Sequence, residues 1–351
     1  MLRIFRGERG FIPGTIGVMN AAELTAVADE LGLDVIGAAQ VAAYAGTERH
    51  IAERRARGLF ADMQFTMARP EVSCHPERLL DGARTVISAA LCYYADAPDQ
   101  SAGTGRLPRY TWNDAYAELR EKLGALGRRL GGEYRVLVDE NDHVDREAAA
   151  RSGVGFYGKN TLLITRRHGS WVVLGTLVTE RELEPTSPLT TDCGECRLCI
   201  DACPTDALDE PGVLDATRCL SYWTQSRAPI PVEFRAPLED RVYGCDICQD
   251  VCPWNRGVEK RRTGHAPPAD AEPFVSLVDW LEAEDADLRV RYDRLYVPRN
   301  DPRFLRRNAL VAAGNAGGAT ERAAVERYAA SDDPLLREHA QWALERMEAR
   351  G

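Results

Sequence analysis

Eight cysteines fall between Cys193 and Cys252 of a 351-residue chain that has ten in all. In a reducing compartment, so many thiols in so short a run point to metal, because disulfides do not persist there. The first run is Cys193-x2-Cys196-x2-Cys199-x3-Cys203-Pro204. This is the spacing of bacterial ferredoxins, in which the fourth cysteine ligates the other cluster. Three cysteines in a tight loop grip one cubane, and the fourth, leaving on a helix, points elsewhere. The second run, Cys245-x2-Cys248-x3-Cys252-Pro253, is one cysteine short, and Cys219 is left to complete it. Eight ligands make two four-iron clusters. Cys193, Cys196, Cys199 and Cys252 are assigned to the first; Cys203, Cys219, Cys245 and Cys248 are assigned to the second. Structural zinc is the alternative, but it usually takes two separated CxxC pairs. The isolated Cys74 and Cys92 are expected as buried apolar side chains.

Two clusters pass electrons singly and do no substrate chemistry alone, so the rest of the chain must hold an acceptor or a further cofactor. Asn20 is a plausible cap for a helix running to about Leu31. TVISAALC (Thr85 to Cys92), YRVLV (Tyr134 to Val138), Thr161 to Thr165 and WVVLGTLVT (Trp171 to Thr179) have the apolar character of buried strands. Helices are expected over Asp114 to Leu130 and Asp145 to Arg151. Helices alternating with apolar strands argue for an α/β domain over residues 1–184. Pro185 and Pro188 mark its exit into a cluster domain over residues 185–262. Gly264 to Pro273 has the composition of a linker, and residues 263–351 end in helices, with Leu336, Ala340, Ala343 and Met347 at helical spacing.

Two nucleotide motifs fail on context. Gly153-x-Gly155-x-x-Gly158 needs a strand before it and a helix after it, and here the order is reversed. Gly153-x4-Gly158-Lys159 nearly matches a phosphate loop, but Asn160 holds the hydroxyl position and no helix follows. Nicotinamide and ATP binding are therefore not expected.

The chain carries 54 acidic against 44 basic residues, a formal net charge of −10. Nucleic acid would need a local basic patch. No run of eighteen apolar residues occurs, so a membrane span is not expected. MLRIFRGERGF lacks the apolar core of a signal peptide, and a cytoplasmic location is expected.

Several segments together resemble one family, the epoxyqueuosine reductases. They are VISAALCYY, VDREAAARSGVGFYGKNTLLI, CLSYWTQSRAPIP from Cys219, YGCDICQDVCPWNR and RRNALVAAGNAG. The resemblance spans about residue 55 to the C-terminus. It implies a nitroreductase-like α+β domain that binds cobalamin, a ferredoxin-like domain with two [4Fe-4S] clusters, and a C-terminal HEAT-like helical region. It implies reduction of epoxyqueuosine to queuosine at the wobble base of tRNA. The family's proton donor ends the strand before the VDRE-like helix, which is Asp139 here. This chain departs from the family in having Glu140 after that aspartate. It also has Ala115 and Ala117 where many members carry an acid and an imidazole.

Further expectations follow. The Asp-x-His-x-x-Gly pattern of corrinoid proteins that donate a histidine to cobalt fails around His143, so cobalamin without a protein histidine ligand is expected. Leu163 and Leu174 are candidates for its tail pocket, and Lys159 and Asn160 for its amides or phosphate. Residues 289–307 hold seven arginines, among them Arg306 and Arg307, against Asp293 and Asp301, a net +5 that suits a phosphate backbone. The alternative is pairing with the acidic stretch 279–287. Tyr222 and Arg227, just after Cys219, are candidates for the substrate nucleotide. The electron donor is unidentified, and a monomer is expected. Two other functions fit the cysteine block. One is a corrinoid reductive dehalogenase acting on a small molecule. The other is a ferredoxin-type electron carrier that is no enzyme.

Overall fold

The computed structural model describes residues 18–350; the MLRIFRGERGF segment lies outside them. A four-stranded sheet in the order β1 (Val35–Gln40), β2 (Thr85–Cys92), β7 (Val172–Thr179), β4 (Tyr134–Leu137) forms the first core. All eight residues of β2 are buried, as a central strand covered on both faces requires. Its side chains alternate. Ile87, Ala89 and Leu91 pack with Leu24, Leu119, Leu123 and Leu126 of the helices Ala21–Leu31 and Ala115–Leu130. Val86 and Ala90 face the other way, toward Ala148 and Ala149 of the helix Asp145–Arg151. Gly175 of β7 has no room for a side chain, since a Cβ would lie 2.6 Å from Leu123 Cδ1, and this lets the helix close on the sheet. Asn20 caps the first helix as expected, in a full capping box with Glu23.

The alternation of helices and strands leaves strand direction open, and every pairing in this sheet is antiparallel. The fold is therefore a mixed helix and sheet arrangement of the α+β kind. Register puts three strand ends together. Cys92 of β2 opposes Val172 of β7, and Leu137 of β4 opposes Thr176. The chain leaving β2 at Tyr93, the chain leaving β4 at Asp139 and the start of β7 thus share one end of the sheet.

The glycines of residues 153–158 serve packing. A helix precedes them, and the short hairpin β5 (Phe156–Tyr157) and β6 (Leu163–Ile164) follows. Gly153 has φ +70°, and a Cβ there would lie 2.3 Å from Ser187 O.

The C-terminal helices Arg303–Ala316, Ala319–Ala329 and Pro334–Arg350 pack with Trp280 and Leu281 in a second core. Ala95, Leu107 and Trp112, which precede the third strand of the sheet in sequence, belong to this same core. The strand β3 (Thr104–Arg106) pairs with β8 (Phe274–Ser276), so the chain between β2 and β4 is stitched into the C-terminal region. Among the described residues no helix is long and apolar enough to cross a membrane.

Candidate active site

The end of the sheet where β2, β4 and β7 meet opens onto a cavity of about 450 Å³. Its apolar wall comes from Leu162, Leu163, Val172, Val173 and Leu174. Leu163 and Leu174 are both buried, as a tail pocket requires. Cys203, Cys219, Cys245, Cys248 and Asp139 also line the cavity.

Asp139 follows β4 with φ +54°, a left-handed conformation that aspartate tolerates better than most residues. Its carboxyl is pushed up by burial, which Arg120 partly opposes. Arg120 itself donates to Val138 O at 2.5 Å and lies 4.0 Å from Glu140. Glu140, the departure noted in the sequence, thus draws part of the nearby positive charge away from Asp139. Tyr110, Tyr116 and Tyr243 also line the cavity, and burial raises all three phenols. They stay protonated and can donate hydrogen bonds at any physiological pH. Sequence reasoning had singled out none of the three; only the position of Tyr243, two residues before Cys245, could have pointed to one.

The eight cysteines line two cavities. Cys193, Cys196, Cys199 and Cys252 border a small cavity closed by Trp254, whose ring meets Phe156 edge-on at 5.1 Å. Cys203, Cys219, Cys245 and Cys248 border the large one. Burial, helped by the charges of Cys252, Cys193 and Cys196, pushes the Cys199 thiol up to about 11. Burial pushes Cys245 up to about 12 and raises Cys219 and Cys248. Thiols whose ionisation is opposed by burial and by neighbouring cysteines, as at Cys199 and Cys248, need a cationic centre to become thiolates. Cys203 Sγ already accepts the Ala207 N–H at 3.3 Å, the kind of contact that tunes a cluster. Cys74 and Cys92 are buried away from both quartets, as expected of apolar cysteines.

Asn160 is buried and borders both cavities; its amide donates to Cys248 O at 3.4 Å. Lys159 is a correction. Expected at a cofactor amide or phosphate, it donates instead to Gly194 O at 2.6 Å and Cys196 O at 2.9 Å, and it borders only the small cavity. The carbonyls of the tight cysteine loop occupy the Lys159 ammonium. His143 is buried in the first core with both ring nitrogens unpartnered, outside the large cavity.

A second cavity of about 220 Å³ adjoins the first and shares Phe65, Cys219, Ser221, Gln225 and Tyr296 with it. Tyr222 and Arg227 line it. Tyr222 donates to Asp62 Oδ1 at 2.6 Å, and Arg227 lies 3.5 Å from Asp62 Oδ2 with 67% of its side chain exposed.

The arginine segment gives the larger correction. Arg307 is 0% exposed and donates to the carbonyls of Trp223, Thr224, Ser226 and Ala228. No phosphate can reach it. Arg306 is bound to Asp285 and to Ala283 O, with little surface left. Arg291 and Arg294 share Glu272, and Arg303 pairs with Asp301 and Asp333. Of the acidic stretch 279–287 only Asp285 pairs with these arginines among the described residues, at Arg289 and Arg306; the other acids come from Glu272, Asp301 and Asp333.

Comparison with known proteins agrees with this layout. Residues 192–255 match the family model described as "4Fe-4S double cluster binding domain", and residues 74–140 match "Epoxyqueuosine reductase QueG, DUF1730". The epoxyqueuosine reductase of Xanthomonas campestris is 32% identical over 92% of this chain and 95% of its own. That of Bacillus subtilis is 30% identical over 92% of this chain and 86% of its own. A crystal structure of an epoxyqueuosine reductase with an epoxyqueuosine-modified tRNA-Tyr stem loop superposes with a TM-score of 0.83 and 30% identity, covering 93% of this chain and 89% of that one. A Bacillus subtilis structure with its catalytic aspartate loop swung out of the active site superposes at 0.82 with 29% identity, covering 93% and 90%. With this likeness along nine-tenths of its length, the chain belongs to the epoxyqueuosine reductase family and is an oxidoreductase.

Proposed function

We propose that this protein reduces epoxyqueuosine to queuosine at the wobble position of tRNA, with a cobalamin in the large cavity, two [4Fe-4S] clusters on the two quartets, and Asp139 as proton donor. One observation carries the proposal: a single cavity is bordered both by Cys203, Cys219, Cys245 and Cys248 and by Asp139. A reduced centre held there stands between an electron supply and an acid. Family membership weighs against the dehalogenase and the electron-carrier alternatives.

The residues fit a corrin. Leu163, Leu174, Val172 and Val173 offer an apolar wall to a macrocycle, and the Asn160 amide stands where amide substituents need a partner. No histidine lines the cavity, in keeping with cobalamin that takes no ligand from the protein. When bound, cobalamin supplies a low-valent cobalt able to deliver two electrons to an epoxide carbon. Asp139 gives its proton to the epoxide oxygen as the carbon–oxygen bond breaks. A free aspartate near pKa 3.9 is ionised at neutral pH, so the upward push from burial is what keeps a proton available. Tyr116 can present a hydrogen-bond donor to the substrate, whereas the Tyr243 hydroxyl donates to Tyr296 O at 3.0 Å. The smaller quartet lies beyond Asn160 and would take electrons from the unidentified donor.

Tyr222 and Arg227 frame the entrance for the nucleotide. Residues 1–184 are read as the nitroreductase-like cobalamin domain, 185–262 as the cluster domain, and 263–351 as HEAT-like helices. The protein is taken as a cytoplasmic monomer. Two solved relatives lend support: one is bound to a modified tRNA stem loop, and the other has a catalytic aspartate on a mobile loop.

The test is an anaerobic assay on tRNA carrying epoxyqueuosine, with a low-potential chemical reductant and nucleoside mass analysis. Loss of one oxygen from the nucleoside is expected. Iron- and cobalamin-loaded protein that leaves the nucleoside unchanged would overturn the proposal.

A further inference from the structure

Turning an epoxide into an alkene consumes two electrons and two protons, and both protons end on the departing oxygen as water. One carboxyl delivers one proton per loading. Three carboxyls border the cavity: Asp139, Asp145 and Asp246. Asp246 is committed elsewhere, since it accepts the Arg109 N–H at 2.9 Å and the Gln249 amide at 3.2 Å between two quartet cysteines. Asp145 opens the helix Asp145–Arg151 and accepts the Arg146 N–H at 2.6 Å. Neither Asp139 nor Asp145 is held in an ion pair among the described residues. The nearby Arg120 lies 4.0 Å from Glu140, and Arg135 lies 3.4 Å from Asp142.

We infer that Asp145 is a second catalytic carboxyl of this site and supplies the second of the two protons that the reduction consumes. The inference rests on the reductase reading above. Asp139 protonates the oxygen as the first carbon–oxygen bond breaks and two electrons arrive at carbon, which leaves an alcohol. Asp145 then protonates that hydroxyl as the second carbon–oxygen bond breaks. Water departs, and the electron pair at carbon becomes the second bond of the alkene. Both carboxylates reload from solvent.

The surroundings suit two acids working in turn. Burial raises the Asp145 carboxyl, Arg146 opposes this, and Asp139 raises it further. Tyr116 stands in the field of both carboxylates, with Tyr110 and Arg146 beside it. Its protonated hydroxyl can steady whichever carboxylate has just given up its proton. Tyr157 and Glu147 complete the ionisable groups around the Asp145 end.

The test uses the iron- and cobalamin-loaded protein with an epoxyqueuosine-bearing stem loop. Asp145→Asn is expected to lower kcat by about 100-fold or more, in the range of a lost general acid, with KM nearly unchanged. The high-pH limb of its kcat profile should lose one of two ionisations. Asp145→Glu should recover part of the rate with that limb displaced. An Asn variant with the kcat and the high-pH limb of the unsubstituted protein would overturn the inference. If the Asn variant loses iron, the Glu variant decides: an active enzyme with a displaced limb supports the inference, and an unmoved limb overturns it. Unsubstituted protein that makes no queuosine would instead sink the reductase reading itself.

Discussion

The cavity wall and the C-terminal helical core both hold buried polar side chains, and they treat them differently. In the core, several of the largest polar groups are tied off, although Trp280 Nε1 and Asn315 Oδ1 stay unpartnered among the described residues. Arg307 is spread over four backbone carbonyls, and Asn308 donates to Thr224 O and Val242 O at 2.8 Å each. His339 accepts the Ile230 N–H at 3.1 Å on Nε2 and lies 2.8 Å from Leu335 O through Nδ1, an arrangement only the neutral ring satisfies. Around the cavity, Asp139 and Asp145 are left without an ion-pair partner among the described residues. Non-glycine residues there take left-handed conformations: Phe65 at φ +35°, Asp139 at +54° and Thr161 at +66°. Such strain persists only where packing enforces it, and it gathers at sites of function.

Substitutions should divide along this line. The largest effect expected is that of Cys219→Ala, which should abolish turnover and remove the iron of one cluster only; Cys193→Ala should remove that of the other. Retention of all iron, measured by metal analysis of anaerobic protein, would break the quartet assignment. Asp139→Asn comes next. A loss of about 100-fold or more in turnover is expected, with iron content and Tm unchanged. Because a donor must be protonated, activity should fall as pH rises through the elevated Asp139 ionisation.

Arg307→Ala should do the reverse. Removing one partner from a buried charged network costs about 3–5 kcal/mol, read as a lower denaturant midpoint, while the salt dependence of tRNA binding stays as it was. A variant of normal stability and weakened tRNA affinity would reinstate Arg307 as a phosphate contact. Arg227→Ala is the counterpart at the entrance: about 1 kcal/mol of tRNA affinity at most and a shallower salt slope, with little change in stability. The smallest effect is a pH dependence. Burial pushes His339 down to about 3. Its neutral ring therefore contributes stability fully above the unfolded value near 6.5, and that contribution is lost as pH falls toward 3. His339→Gln should flatten this acid limb of the stability profile.

Much of the fold could be read from local pattern. The span of β2, the helices at Ala115–Leu130 and Asp145–Arg151, and the Asn20 cap depend on periodicity and capping, which are properties of neighbouring residues. The cysteine spacing singled out the segment whose thiols line two cavities, because a tight loop keeps sequence neighbours close in space. What resisted was everything set by distant partners. Antiparallel pairing of β2, β4 and β7 depends on how long connections run, and alternation of elements does not encode that. The arginines of residues 289–307 carry the same charge on paper whether they face water or, like Arg307, a ring of carbonyls. Asp145 looked like an ordinary helix-opening acid; only the arrival of Asp139, Tyr116 and the cysteine loops around it gives it another meaning.

The stitching of β3 to β8, with Leu107 and Trp112 set among the terminal helices, decides what can be removed from this enzyme. The Gly264 to Pro273 segment invites a cut on composition alone. A chain ended there would strip the cover from both side chains and leave the edge of β3 without its hydrogen bonds. The terminal helices are consequently not an appendage that could be lost, swapped or fused elsewhere. Their loss would loosen the Arg109–Trp112 segment and with it the backbone N–H that holds Asp246 beside the cysteines, so damage begun at the far end of the molecule would reach the redox centre.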